Sequence, residues 1–142
     1  NLPMSFREKF NWIIVAVTAL VLTGLGLWYV RTAGNGAAIE TAGPVITAYI
    51  AWFLIMLIGA IVIAARGPKD AETPTDERNR IIDMKAALPT MHIYGFALTG
   101  LILLLFVFDF SKWDALYAIV AIQLAATLLE AGAKIRFYQM AV

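Results

Sequence analysis

Four side chains that could carry chemistry lie within or beside long apolar runs of this sequence: His92, Gln123, Glu130 and Lys134. His92 and Glu130 are expected at similar depth in a membrane, where they could relay protons or hold a polar ligand. Charged and strongly polar groups are costly inside a bilayer, so each of these residues is a candidate site residue. The alternative for Glu130 is an ion pair with Lys134 one turn along the helix, with both side chains reaching the interface.

The other two residues also have plainer interpretations. His92 fits a hydrogen-bonded histidine at the membrane interface. Gln123 is expected to hydrogen-bond across a helix interface, which is worth about 1 kcal/mol or less and favours association into a homo-oligomer. The chain has one histidine and no cysteine, so a transition-metal site within one chain is disfavoured. We expect no metal and no cofactor.

The central segment between the second and third apolar runs carries a second candidate site. Thr73, Pro74 and Asp76 have the order typical of a helix start. Asp76 and Arg80 are four residues apart, which suits an ion pair on a helix. Two interpretations stay open: a solvated, salt-bridged helix start, or a docking site for a cytosolic protein partner or lipid headgroups. The docking candidates are Asp76, Glu77, Arg78 and Arg80.

An apolar face follows these charges along the same segment. Ile81, Met84 and Leu88 fall on one side of a helix, which could lie on the membrane surface or pack under the bundle. Pro89 disfavours helical geometry at the residue before it. The sequence therefore predicts a short amphipathic helix at 73–87 and a break or kink before the third apolar run.

The elements that must position these residues are four apolar runs at 11–30, 45–65, 88–108 and 113–133. Each has about the 20 residues that a helix needs to cross a bilayer. Hydrophobic residues make up 61% of the chain and charged residues 15%, well below the charge of a soluble domain. We predict one transmembrane domain over 1–142, an antiparallel up-down-up-down four-helix bundle. A cytosolic loop at 66–87 would carry the short amphipathic helix.

Local signals mark the ends of these helices. Gly34-Asn35-Gly36 predicts a turn after the first span, and Pro44 suits the first turn of the second. Ser111 and Asp114 have the spacing of a capping box, so the last two spans should form a tight antiparallel hairpin. The first run is too long for a secretory signal and lacks a small-residue cleavage site. We expect Met4 to be the natural start of the chain.

The basic residues predict the orientation. Nine lie at the N-terminus, in the central loop and at the C-terminus, whereas Arg31 and Lys112 alone lie in the other two loops. Short loops rich in lysine and arginine stay cytosolic. We therefore expect a multi-pass protein with both termini and the central loop in the cytosol.

The central segment also resembles a known sequence signature. Residues 75–82 match the Asp-Glu-Arg-x-Arg-x-Ile motif of a loosely defined set of small bacterial four-span membrane proteins, in which it lies between spans two and three. The resemblance implies a bacterial cytoplasmic (inner) membrane protein. It brings no activity with it.

Several functional classes are disfavoured. Thiol oxidoreductases need cysteines, small four-span drug exporters carry a glutamate in the first span, and the motifs of intramembrane proteases and phosphate loops do not occur. We expect a non-enzymatic structural, accessory or partner-binding protein that contacts the lipid bilayer and no nucleic acid. The alternative is an oligomeric channel or transporter for a small solute or ion, with Gln123, Glu130 and His92 near its path. A lipid-modifying enzyme comes third.

Overall fold

The computed structural model describes residues 6–36, 38–66 and 77–140. This part of the chain forms four helices: α1 (Phe6–Gly34), α2 (Gly43–Arg66), α3 (Glu77–Val107) and α4 (Lys112–Gln139). Each helix is long and apolar enough to cross a bilayer. The predicted all-helical membrane fold is confirmed, and only the third predicted span runs past its helix, by one residue.

The helices pack in a fixed order across the bundle. α1 packs against both α2 and α4, and α3 packs against α4. Within the described ranges α2 and α3 do not form a packed pair, so the bundle is open between them. Tyr29 near the end of α1 contacts Asp114 near the start of α4, so these two helices are antiparallel. Arg7 and Asp83 lie near the starts of α1 and α3, so these two helices are parallel, and α3 is therefore antiparallel to α4. We call the end that holds Arg7 and Asp83 the basic end, and the other the opposite end.

A close approach and a buried hydrogen bond join α1 to α2. A Cβ atom at Gly59 would lie 3.0 Å from Cδ1 of Ile13, so the glycine allows the two helices to come close. The indole N–H of Trp52 donates to the hydroxyl of Thr18 at 2.9 Å, and Thr18 is 0% exposed. Polar contacts of this kind give two apolar helices a defined register in lipid.

The opposite end contains the apolar core of the bundle. Leu25, Val45, Ile39 and Leu124 belong to one buried cluster, which also includes Tyr117 and Val120. Ile39 comes from the linker between α1 and α2, which is held against α4 because the hydroxyl of Tyr117 donates to the carbonyl of Thr41 at 3.0 Å. The hydroxyl of Tyr29 donates to the carboxylate of Asp114 at 2.7 Å. Aromatic residues with a polar tip suit this position near a membrane interface.

The central segment differs from its prediction. Residues 77–87 are helical, as expected, but they continue directly into the third span, and Pro89 lies inside α3. Ile82, Ala86 and Thr90 form the buried side of α3, on both sides of the proline. Packing against α4 outweighs the single backbone hydrogen bond that Pro89 lacks, and prolines within membrane helices are tolerated in this way. Of the break or kink predicted before the third span, the break was therefore wrong, and the kink stays a prediction.

The apolar face predicted for this segment is exposed and is not the side of α3 that packs against α4. Ile81, Met84 and Leu88 are exposed, so they do not pack under the bundle. The helix start predicted at Thr73 and Pro74 lies outside the described residues. The buried face was not recognisable in the sequence because small and polar residues, Ala86 and Thr90, contribute to it.

Three local predictions are confirmed. The Ser111 hydroxyl accepts a hydrogen bond from the backbone N–H of Asp114 at 3.1 Å and caps α4. Pro44 lies in the first turn of α2. Gly36, in the turn after α1, has a φ of 76°, a conformation that glycine adopts without strain.

The Trp52–Thr18 bond gives a direct test of the α1–α2 contact. We expect Thr18→Val to lower the free energy of unfolding by about 1–2 kcal/mol, because the indole N–H loses its acceptor in an apolar environment. Thr23→Val, at an exposed position of the same helix, should change it by less than about 0.5 kcal/mol. Equilibrium unfolding in mixed micelles measures both, and equal values for the two variants would contradict the assignment.

Candidate functional site

Asp83 is the centre of an ion-pair network at the basic end. Its Oδ2 accepts a hydrogen bond from Nη1 of Arg7 at 3.1 Å, and its Oδ1 lies 3.8 Å from Nζ of Lys134. Lys134 also lies 3.2 Å from Oε1 of Glu130 on its own helix. The network therefore joins α1, α3 and α4 through side chains that remain partly open to solvent.

A second set of contacts fixes the start of α3 to the end of α4. The guanidinium of Arg78 donates to the backbone carbonyl of Tyr138 at 2.9 Å and lies 5.7 Å from the centre of its ring. The Tyr138 hydroxyl donates to the side-chain oxygen of Asn79 at 3.1 Å. Because Tyr138 is buried, these contacts anchor the first turn of α3.

A cavity of about 300 Å³ lies beside this network. It has an apolar side and a charged side. The apolar side includes Phe6, Phe10 and Ile14, and the charged side includes Arg7, Asp83 and Lys134. Asn11 and Tyr138 complete the lining, and the Asn11 amide donates to the backbone carbonyl of Arg7 at 2.8 Å. The cavity is therefore amphipathic and opens at the basic end.

A polar stripe runs along α4 from the middle of the helix to the basic end. Gln123, Thr127, Glu130 and Lys134 are spaced three or four residues apart and share one helix face. At the end of the stripe in the middle of the helix, the side-chain oxygen of Gln123 accepts a hydrogen bond from the hydroxyl of Tyr49 on α2 at 2.7 Å. At the basic end Lys134 contacts Asp83 on α3. The stripe thus faces both helices that border the opening in the bundle.

His92 and Glu130 are not brought together. Glu130 is paired with Lys134, one of the two arrangements considered for it from the sequence. His92 is exposed on α3 and has no hydrogen bond or ion pair to any described residue. Its position, two residues beyond the buried Thr90, turns it away from the side of α3 that meets α4.

Asp76, one of the four docking candidates of the central segment, lies outside the described residues. The other three fall into two groups. Glu77 and Arg80 are exposed and form no ion pair within the described part of the chain. Arg78, in contrast, is directed toward Tyr138 and helps to hold α3 in place.

Sequence reasoning missed the central role of Asp83 and its partner Arg7. These two residues are 76 positions apart, and no local spacing connects them. The burial of Tyr138 was also missed, since a tyrosine just beyond a predicted span reads as an interfacial residue. Among the described residues no three His, Asp or Glu side chains cluster in a way that could hold a metal ion.

The ion-pair network predicts a stability effect at the basic end. We expect Asp83→Asn to lower the free energy of unfolding by about 1 kcal/mol, because Arg7 and Lys134 lose their shared counter-charge. Added salt should reduce the difference, since these partly exposed charges are screened. Asp109→Asn, at an exposed position outside the network, is the control. Unfolding at low and high salt measures both, and an effect of Asp83→Asn that is insensitive to salt would count against the network.

A protein-family model matches most of the chain. The family described as a predicted membrane protein (DUF2178) matches residues 7–139, which covers all four helices and the network at the basic end. Neither the curated proteins nor the solved structures include a match. The family description agrees with the four helices that are long enough to span a membrane. The chain therefore belongs to the DUF2178 family of predicted membrane proteins.

Proposed function

We propose that this protein is a non-enzymatic accessory protein of the bacterial cytoplasmic membrane that binds a cytosolic protein through the start of α3. One observation carries the proposal: the exposed apolar side chains of Ile81 and Met84 lie on a continuous extension of a membrane helix. The orientation rests on the excess of lysine and arginine in the segments at the basic end.

The length of α3 determines where these residues lie. With 31 residues, the helix is roughly 46 Å long, compared with about 30 Å for the hydrocarbon core of a bilayer. The first turns therefore extend beyond the apolar part of the membrane. Because they belong to the same continuous helix as the span, they do not form a separate helix on the membrane surface.

The extension presents a face suited to another protein. Ile81 and Met84 are exposed, and Met84 is 63% exposed. Glu77 and Arg80 lie beside them on the side of the helix away from α4. An apolar stripe bordered by opposite charges is typical of a helix that fits a groove in a partner. The charges would fix the register, and the apolar side chains would supply the binding energy.

Rigidity supports the same interpretation. Arg78, Asn79 and Asp83 hold the opposite side of this segment to α4 and α1. A partner would therefore meet a surface that is ordered before binding, which lowers the entropy lost on association.

Photo-crosslinking in intact membranes tests the proposal. A photoreactive residue in place of Lys85, which is exposed beside the stripe, should give one discrete adduct with a cytosolic protein. Adding Met84→Gln should reduce that adduct about tenfold, because it removes an apolar anchor. Met140→Gln, at another exposed methionine of the basic end, should leave the adduct unchanged.

Three outcomes would contradict the proposal. Adducts with lipid alone would mean that the stripe faces the membrane. An adduct that Met84→Gln and Met140→Gln reduce equally would mean that the stripe does not select the partner. An adduct with a protein from the other side of the membrane would overturn the orientation.

The polar stripe of α4 favours a second candidate, an oligomeric channel or transporter for a small solute or ion. Gln123, Thr127 and Glu130 lead from the middle of the membrane helix to the basic end, along the opening between α2 and α3. The hydroxyl of Tyr49 on α2 donates to Gln123, so polar groups from two helices meet near the middle of the membrane helix. Polar groups at membrane depth are typical of ion pathways.

Proton flux into liposomes tests this candidate. If the stripe conducts protons, purified protein should accelerate the decay of an imposed pH gradient, and Glu130→Ala and Gln123→Ala should each reduce the rate at least tenfold. Glu77→Gln, an exposed carboxylate off the stripe, should retain it. A decay rate equal to that of protein-free liposomes would rule out proton conduction by this stripe.

A further inference from the structure

We propose that the amphipathic cavity at the basic end binds a membrane phospholipid, with the phosphodiester group at Arg7 and Lys134 and an acyl chain along Phe6, Phe10 and Ile14. The site is separate from the exposed stripe on α3, which lies on the other side of that helix. The proposal does not depend on a protein partner.

The shape and lining of the cavity match a lipid at the boundary between its head and its chains. Its volume of about 300 Å³ is at the lower end of the range for small-molecule sites. The rings of Phe6 and Phe10 are stacked with their centres 6.1 Å apart, and together with Ile14 they supply the apolar part of the lining. Arg7, Asp83 and Lys134 supply the charged part, so a ligand that fills the cavity meets both kinds of surface. A phospholipid has both parts in one molecule.

The charges of the lining favour a phosphodiester. Two cations, Arg7 and Lys134, border the cavity, whereas Asp83 is its one lining carboxylate. Glu130, 3.2 Å from Lys134, lies outside the lining and brings the network as a whole to neutrality, so a phosphodiester would place its single negative charge beside the two cations that line the cavity. A guanidinium has five N–H donors and an ammonium three, so both cations can contact a phosphate while they remain close to Asp83.

The depth of the cavity agrees with this ligand. Arg7 precedes the predicted first span by four residues and Lys134 follows the predicted last span directly, so both lie at the level of the headgroups. Ile14 lies within the first span and reaches the acyl region. Basic pockets between membrane helices at this level are suited to phospholipid headgroups.

Thermal unfolding of the purified full chain in a neutral detergent tests the proposal. Dihexanoyl phosphatidylglycerol and dihexanoyl phosphatidylethanolamine should each raise the unfolding temperature in a saturable manner. Dihexanoyl glycerol, which lacks the phosphate, and inorganic phosphate, which lacks the chains, should not. A shift with phosphate alone would assign the site to the free anion and overturn the proposal, as would a shift with dihexanoyl glycerol.

Matched variants locate the site. Lys134→Gln should weaken the apparent affinity for the phospholipids about tenfold, whereas Lys85→Gln, an exposed lysine of the basic end outside the cavity, should leave it unchanged. Ile14→Phe narrows the cavity without altering a charge, and native mass spectrometry should then show loss of the one phospholipid retained per chain. Retention of that phospholipid by both Lys134→Gln and Ile14→Phe would overturn the proposal.

Discussion

Polar contacts between helices determine how this bundle is assembled, because apolar side chains gain little by leaving lipid for one another. The Trp52–Thr18 bond joins α1 to α2, and the Tyr29–Asp114 bond joins α1 to α4. Asp83 joins three helices at the basic end. The Trp52–Thr18 bond lies in the apolar region, where no water is available to replace it, whereas the contacts nearer the ends of the helices add specificity in a more polar environment. Together they select one arrangement among the many ways in which four apolar helices could pack.

The continuity of α3 through Pro89 connects the fold with the proposed function. A break at this position would have allowed the charged segment to lie on the membrane surface. Instead, Ile82 and Ala86 are buried on one side of a continuous helix, and Met84 is exposed on the other. The same helix therefore serves two surfaces, one that holds the bundle together and one that is available to a partner.

The charges of the central segment are divided in the same way. Asp83 and Arg78 contact other helices, whereas Glu77 and Arg80 remain exposed. From the sequence Glu77, Arg78 and Arg80 were all docking candidates, whereas Asp83 was not one of them. Helical periodicity separates them, because residues one or two positions apart point in different directions around the helix.

The sequence by itself determined the helical membrane fold, the approximate spans, the Ser111 cap and the spacing that pairs Glu130 with Lys134. All of these depend on composition or on residues within four positions of one another. The tertiary structure alone decided the contacts between Arg7 and Asp83 and between Tyr49 and Gln123, whose partners are 76 and 74 residues apart. It also decided which face of α3 is buried. The physical reason is that apolar side chains are stable in lipid on every side of a membrane helix. The hydrophobic pattern therefore does not identify the face that meets another helix.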